Sequence, residues 1–323
     1  MTRRSTLLLV PLSLLGLALL LGRAAPPAAL AAPAADLAYD QAFWQRWCDG
    51  KAELAGYELT FPRYGQPRAG VAVTIVVKED LLAKERVKAN DPSAQGAFPA
   101  MKLNLVQDFA TGIYDYGLMT SAWVGLQPGA GLPAGAPHKV SFSAQEWCGH
   151  AYQQVVFGPQ QLARATHSYF EGEPDGPDAL PARPGGLAED LLLLWARGMV
   201  APRLAPGEER QVPLLTSCGR ARLLHRPQAW VEATLRREAA LTTIEVPAGK
   251  LEARVLTLKH ADRTWTVWVE DAEPYRVLAW RCSDGEEGKL LKSARLAYWQ
   301  LHGAGQEKLL AQLGLSPRPA RTP

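Results

Sequence analysis

Methionine and cysteine are scarce in this 323-residue chain, at four each, and its charges are scattered rather than grouped in long runs. Several chemistries fall away with what is missing. There is no G-x-S-x-G nucleophile elbow and no H-E-x-x-H zinc motif. No paired C-x-x-C or H-x-x-x-H spacing offers a closed metal site, so a metal is not expected. Gly129-Ala130-Gly131 lacks the lysine and helix start that a phosphate loop needs, so no nucleotide or other cofactor is indicated. Basic residues barely outnumber acidic ones, 35 to 32. Without a basic patch there is no electrostatic footprint for nucleic acid or an anionic membrane surface.

What is present begins with an export signal. Arg3 and Arg4 precede an uncharged, Leu-rich run over residues 5–22, and Ala29-Leu30-Ala31 supplies the small residues of a cleavage site. That order describes a secretory signal peptide over residues 1–31, and the expected location is exported, periplasmic or extracellular. An uncleaved signal would be the one membrane attachment. No cysteine near the exit suggests lipid attachment there. Cleavage would remove three arginines and no acid, leaving a nearly neutral chain of about 290 residues.

Ten tryptophans and nine tyrosines favour sheets over helical bundles. After an Ala/Pro spacer (residues 32–39), Asp40 reads as an N-cap for a short helix carrying Phe43, Trp44 and Trp47 on one face, with Gly50 as its stop. Period-two patterns then dominate. In "GVAVTIVVKED", Val71, Val73, Ile75 and Val77 form one strongly apolar face, with Ala72, Thr74 and Lys78 on the other. Residues 101–126 read as a hairpin and 138–158 as a further strand or pair. A linker is expected at 173–186, dividing a first β-rich half (40–172) from a second (187–316). The second half opens with "LAEDLLLLWARGM", a helix expected to cover a sheet. Strands follow, with an ambiguous "AWVEATLRREAALTTIEV" assigned mainly to strand. A C-terminal helix over 304–313 stops at Gly314, before a loose tail (317–323). The expected fold is mainly β: two consecutive curved antiparallel sheets of five or six strands each, half-barrel or clam-like, with a few covering helices.

"WCDGKAELAGYELTFPRYGQPRAGVAVTIVVKED", Lys102-Leu103-Asn104 and "SAQEWCGH" resemble an uncharacterised family of exported bacterial proteins and lipoproteins, some labelled as septum-formation inhibitors. The segment from "PAGKLEARVLTLKHADRTWTVWVED" to "SARLAYWQL" is more loosely similar to exported β-rich domains of unknown function. The latter resemblance implies kinship with periplasmic lipoprotein carriers, whose curved sheet surrounds an apolar cavity. Neither resemblance implies an established activity.

The densest chemistry lies at Glu146, Cys148 and His150. A catalytic thiol needs a base and a lowered pKa. If both lie in a strand, Cys148 and His150 share a face, about 6–7 Å apart at Cβ, too far for direct hydrogen bonding without a bulge at Gly149. Four cysteines in an exported chain suggest two disulfides instead. Cys48 and Cys148, each after a tryptophan, make one expected pair, and Cys218 and Cys282 the other. Arg63 and Arg68, near Tyr64, are candidates for holding an anion, or are solvated residues of a hairpin loop. Asp108, Asp115 and Glu146 would serve glycoside chemistry only if the fold brought two of them together.

The reading that results is an exported envelope protein without enzymatic activity. It would bind a hydrophobic small molecule, a lipid or an envelope protein in a β-lined concavity. The alternatives are a hydrolase using Cys148 and His150 on cell wall or peptide, and a structural or adhesive module.

Overall fold

The computed structural model describes residues 37–317 except 174 and 262. Contacts divide the chain into Met1–Leu30 and Ala31–Pro323, and the second unit alone is described below. The expected signal peptide and most of the spacer lie outside the described residues, as does the tail beyond Pro317.

Helix α1 (Gln41–Trp47) forms where its cap signal stands: Asp40 Oδ1 accepts from the Phe43 amide at 2.8 Å. The first run of strands follows as hairpins: β1 (Ala52–Arg63), β2 (Gln66–Leu82), β3 (Ala97–Thr111), β4 (Tyr114–Gly125), β5 (Pro137–Glu146), β6 (Gly149–Phe157), β7 (Gln161–Ser168) and β8 (Gly176–Pro181). The second run comprises β9 (Leu187–Ala188), β10 (Glu209–Leu215), β11 (Trp230–Arg237), β12 (Thr242–Val246), β13 (Gly249–His260), β14 (Arg263–Glu270), β15 (Val277–Cys282) and β16 (Glu287–Leu296). The mainly β architecture is as the sequence pattern indicates, although each run holds more strands than expected.

The two runs are flanks of one curved sheet. β1 pairs with β2 on one side and with β16 on the other, so the order runs from β8 through β1 and β16 to β9. β9 joins β10 in parallel; the other named ladders are antiparallel. The stretch expected as a linker contributes β8, which pairs with β7 from Thr166 to Gln161. The sheet's two edges, β8 and β9, are neighbours in sequence, and the Trp230 indole donates to the Pro181 carbonyl at 2.9 Å near them.

One face, here the inner face, carries the main core: Ala55, Tyr57, Leu59 and Phe61 of β1, Leu103 and Phe109 of β3, Val267 and Trp280 of the second flank. On β2 the apolar stripe is not on this side. The inner face takes Ala72, Thr74 and Val76. Val73, Ile75 and Val77 face outward, into a satellite core with Leu54, Leu310 and Leu313. The 3-10 segment Gln306–Leu313, capped by Gly314 at φ 71°, covers that patch. Gly56 allows the close approach, because a Cβ there would stand 2.3 Å from the Leu313 carbonyl oxygen.

"LAEDLLLLWARGM" does not form one helix lying over a sheet. It enters as β9, turns through a 3-10 segment (Glu189–Leu191), makes the short helix α2 (Leu192–Ala196) and ends at Gly198 with φ 75°. Leu191 to Ala196 are buried all round. An all-apolar surface has no solvent side, so the segment belongs inside the molecule. Each end is tied by a buried ion pair. Arg263 Nη1 lies 2.7 Å from Glu189, and Arg197 Nη1 lies 2.7 Å from Glu53 of β1.

Candidate functional site

A cavity of ≈ 240 Å³ opens on the inner face, walled by both flanks and by the start of the threaded segment. Side-chain alternation supplies one wall. Leu103, Leu105 and Gln107 are successive inward residues of β3, joined by Leu118 and Thr120 of β4 and by Phe142 of β5. Trp265 and Trp280 come from the second flank, and Leu192 and Leu193 from α2. A further wall is the short helix α3 (Cys218–Leu223), whose N-cap Ser217 accepts from the Arg220 amide. A space this large holds far more than a bridging water.

Set into that apolar lining is an acid cluster around Arg263. Glu189 Oε1 accepts from Arg263 Nη1 and from the Trp265 indole, both at 2.7 Å, and Oε2 accepts from the Ser217 amide at 2.9 Å. Burial alone would raise its carboxyl. The nearby His260 ring, the Arg263 charge and these donors reverse that and hold it at about 2. Asp190 is pushed up to about 6 by burial, and the Glu189 charge adds to the rise; it accepts from Ser217 Oγ at 3.0 Å and the Cys218 amide at 3.1 Å. Glu286 rises to about 7, again mainly through burial. Its Oε1 accepts from Gln107 at 2.9 Å and from the Trp280 indole at 3.2 Å. Asp284 binds Arg220 at 2.8 Å and Arg263 at 2.9 Å. Sequence reading missed this cluster. The available signal was a pair of adjacent acids, Glu189-Asp190, directly before a six-residue apolar run.

The residues singled out in the sequence are distributed otherwise. Cys148 is not in a strand: with Trp147 it forms the turn between β5 and β6, and its thiol is exposed. Glu146 points inward, where Arg222 Nη2 donates to it at 3.2 Å. His150 pairs with Gln145 on the outer face. The Glu146 and His150 side chains thus lie on opposite faces of the sheet. Asp108 and Asp115 are on the outer face too, so the fold does not gather them with Glu146.

The expected disulfides are not formed, and all four cysteines are free thiols. Ladder registers place Gln145 level with Gly117, Asp108, Val71 and Glu58. Cys148 therefore lies near the far end of β1, whereas Cys48 precedes its start. That is on the order of 30 Å along the strands, against a limit of about 7 Å between bridged Cα atoms. Cys218 and Cys282 are buried among different partners: Gln228 Nε2 donates to Cys218 Sγ at 3.2 Å, while Cys282 adjoins Arg263 and Asp284. Burial pushes the Cys282 thiol up to about 12 and raises Cys218 strongly as well, which makes both poor nucleophiles.

Arg63 is in the cavity wall and is already engaged. It donates to the Tyr116 hydroxyl at 3.1 and 3.2 Å and stacks on the Tyr64 ring at 4.2 Å. Arg68 donates to the Arg63 carbonyl at 3.4 Å. Around the same end of the sheet the hairpin turns expose Tyr64, Ile113 and Trp147. Among the described residues no group of three or more histidine, cysteine or acidic side chains is placed to hold a metal ion.

Comparison with known proteins adds little. No family model matches the chain, and no curated protein matches it. A solved structure described as a β-barrel-like protein of domain of unknown function DUF1849, from Brucella abortus, is similar at 11% identity with a TM-score of 0.45, covering 76% of this chain and 98% of that one.

Two outcomes are expected. Without reductant, a thiol reagent will modify Cys48 and Cys148 in the native protein and all four cysteines after unfolding; no reactive thiol in the unfolded chain would establish two disulfides. The second concerns pH. Glu286 and Asp190 have raised folded pKa values, so between about pH 4.5 and 7 the folded state holds more protons and stability falls as pH rises. Glu189, with a lowered value, acts oppositely between about pH 2 and 4.5. Glu286→Gln keeps an oxygen for Gln107 and Trp280. It should stabilise the protein by about 1–3 kcal/mol at pH 8 and leave it unchanged at pH 5, as read by urea unfolding at both pH values.

Proposed function

We propose that this chain is an exported, non-catalytic envelope protein that holds an apolar or amphiphilic molecule in the inner cavity of ≈ 240 Å³. The observation that carries the reading is an apolar space framed by Leu105, Leu118, Phe142 and Leu193, with polar groups grouped around Arg263. Pockets of this make-up bind through burial of apolar area and are oriented by a few polar contacts. The acid cluster suits a structural role better than hydrolysis. Glu189 is committed to three donors, and Asp284 to two arginines. Export and kinship with the uncharacterised exported family rest on the N-terminal segment and the "QEWCGH" and "RYG" motifs. Among the described residues no helix is long and apolar enough to cross a membrane.

One observation favours a cysteine hydrolase instead, namely the exposed free thiol of Cys148. The split of Glu146 and His150 across the sheet weighs against it.

A fluorescent probe separates these readings. The delipidated protein should bind an uncharged naphthalene dye saturably, and a long-chain fatty alcohol should displace it. Leu105→Trp fills the cavity from a half-buried position and should weaken binding at least tenfold with little loss of stability, while Cys148→Ser should not change it. Binding that ignores Leu105→Trp, or hydrolysis of a cell-wall peptide lost with Cys148→Ser, would sink the proposal.

A further inference from the structure

At the other end of the threaded segment lies a second, larger cavity of ≈ 570 Å³, lined by residues around α1, by Trp195 to Met199, and by the inner face of β11 and β13. Its character differs from the first. Five arginines line it (Arg46, Arg197, Arg203, Arg237 and Arg254) against two acids, Asp40 and Glu273. Three of the five are accounted for. Arg46 and Arg197 share the Glu53 carboxylate, and Arg203 donates to the carbonyls of Gly198 and Ala38.

Neither Arg237 nor Arg254 has a buried carboxylate partner. Arg237 gives one hydrogen bond, to the Leu204 carbonyl at 3.1 Å, and its Nε is buried with no acceptor. Arg254 stacks on Tyr275 at 4.5 Å, donates to the Glu270 carbonyl at 3.2 Å and has one acid partner, Asp271, at 3.2 Å, whose side chain is 43% exposed. Both guanidinium groups line the cavity, and burial first, then the Arg237 charge, lowers the Arg254 pKa against the opposing charges of Asp271 and Tyr275. The acids nearby do not relieve this. Asp40 is occupied as the cap of α1, and Glu273 is exposed. A buried donor without an acceptor and a like-charge pair both cost stability, and an anion bound between them would offset both costs. The remaining walls are apolar, with Phe43, Trp47, Trp195 and Leu256 among them.

We infer that this second cavity is a binding site for an organic anion, its phosphate or carboxylate head held by Arg237 and Arg254 and its aromatic or aliphatic body against the tryptophan-lined wall. Planar guanidinium forks suit such heads because they donate two parallel hydrogen bonds. The site is independent of the first cavity, since it draws on the opposite end of segment 187–200 and on different strands.

The test is calorimetric titration of the full chain with phenyl phosphate, benzoate and inorganic phosphate, repeated on Arg237→Gln, Arg254→Gln and Leu105→Trp. Phenyl phosphate or benzoate should bind at least tenfold more tightly than inorganic phosphate. Each arginine variant should lose at least tenfold in affinity, whereas Leu105→Trp should lose nothing. Without ligand, Arg237→Gln should melt no lower than the parent protein, because a like-charge contact has been removed, and should lose the ligand-induced rise in Tm. No saturable binding, equal binding of inorganic phosphate, or loss with Leu105→Trp alone would each overturn the assignment. The last outcome would leave the first cavity's role standing.

Discussion

The pairing of β1 with β16 is the constraint on which the rest of the molecule depends. Nine residue pairs, from Ala52 with Leu296 to Thr60 with Glu287, join the earliest strand to the last. Without that ladder the chain would be two separate meanders, each with an open inner face. With it, Leu105 and Phe142 of the first flank and Trp265 and Trp280 of the second line one space. Tyr57 reinforces the join, its buried hydroxyl donating to the Val277 carbonyl at 3.0 Å. Such long-range pairing closes a loop of nearly the whole domain, an entropic cost that burial on both sides must exceed.

The enclosed space is then divided by segment 187–200. Its leucines carry no polar groups and fill the middle, while Glu189 at one end and Arg197 at the other are fixed by oppositely charged partners from the sheet. Buried ion pairs add little net stability but penalise misplacement heavily, since a displaced segment would leave a lone buried charge. This accounts for a register that an all-leucine run could not set. It also leaves two cavities of contrasting polarity, one acid-bearing around Arg263 and one arginine-rich near α1.

Much of the fold was legible in the sequence. α1 follows from Asp40 and its aromatic face, and the alternating runs locate the main strands. The failures have physical causes. Val73, Ile75 and Val77 look like core residues, but their core is the small one beneath Leu310 and Leu313, and the inner face of β2 takes Ala72 and Thr74 opposite Tyr57 and Ala55. A Gly/Pro-rich stretch became β8 because an edge strand tolerates proline. The candidate site was less visible. Period-two patterning says which residues share a face but not which strands meet across the interior. Gln107, Arg263 and Glu286 therefore carried no local mark, and neither did Arg237 and Arg254. The Cys48–Cys148 pairing failed for the same reason, as spacing along the chain says nothing about which end of the sheet a residue occupies.

Native-state hydrogen exchange of the full chain, resolved by residue, tests the single-sheet account most directly. The amides of β1 and β16 that face each other should be among the slowest, and should exchange only through global unfolding, at one common free energy with inner strands of both flanks. If instead the β1–β16 amides exchanged early while either flank stayed protected, the two halves would be independent sheets, and a cavity shared between them would not exist.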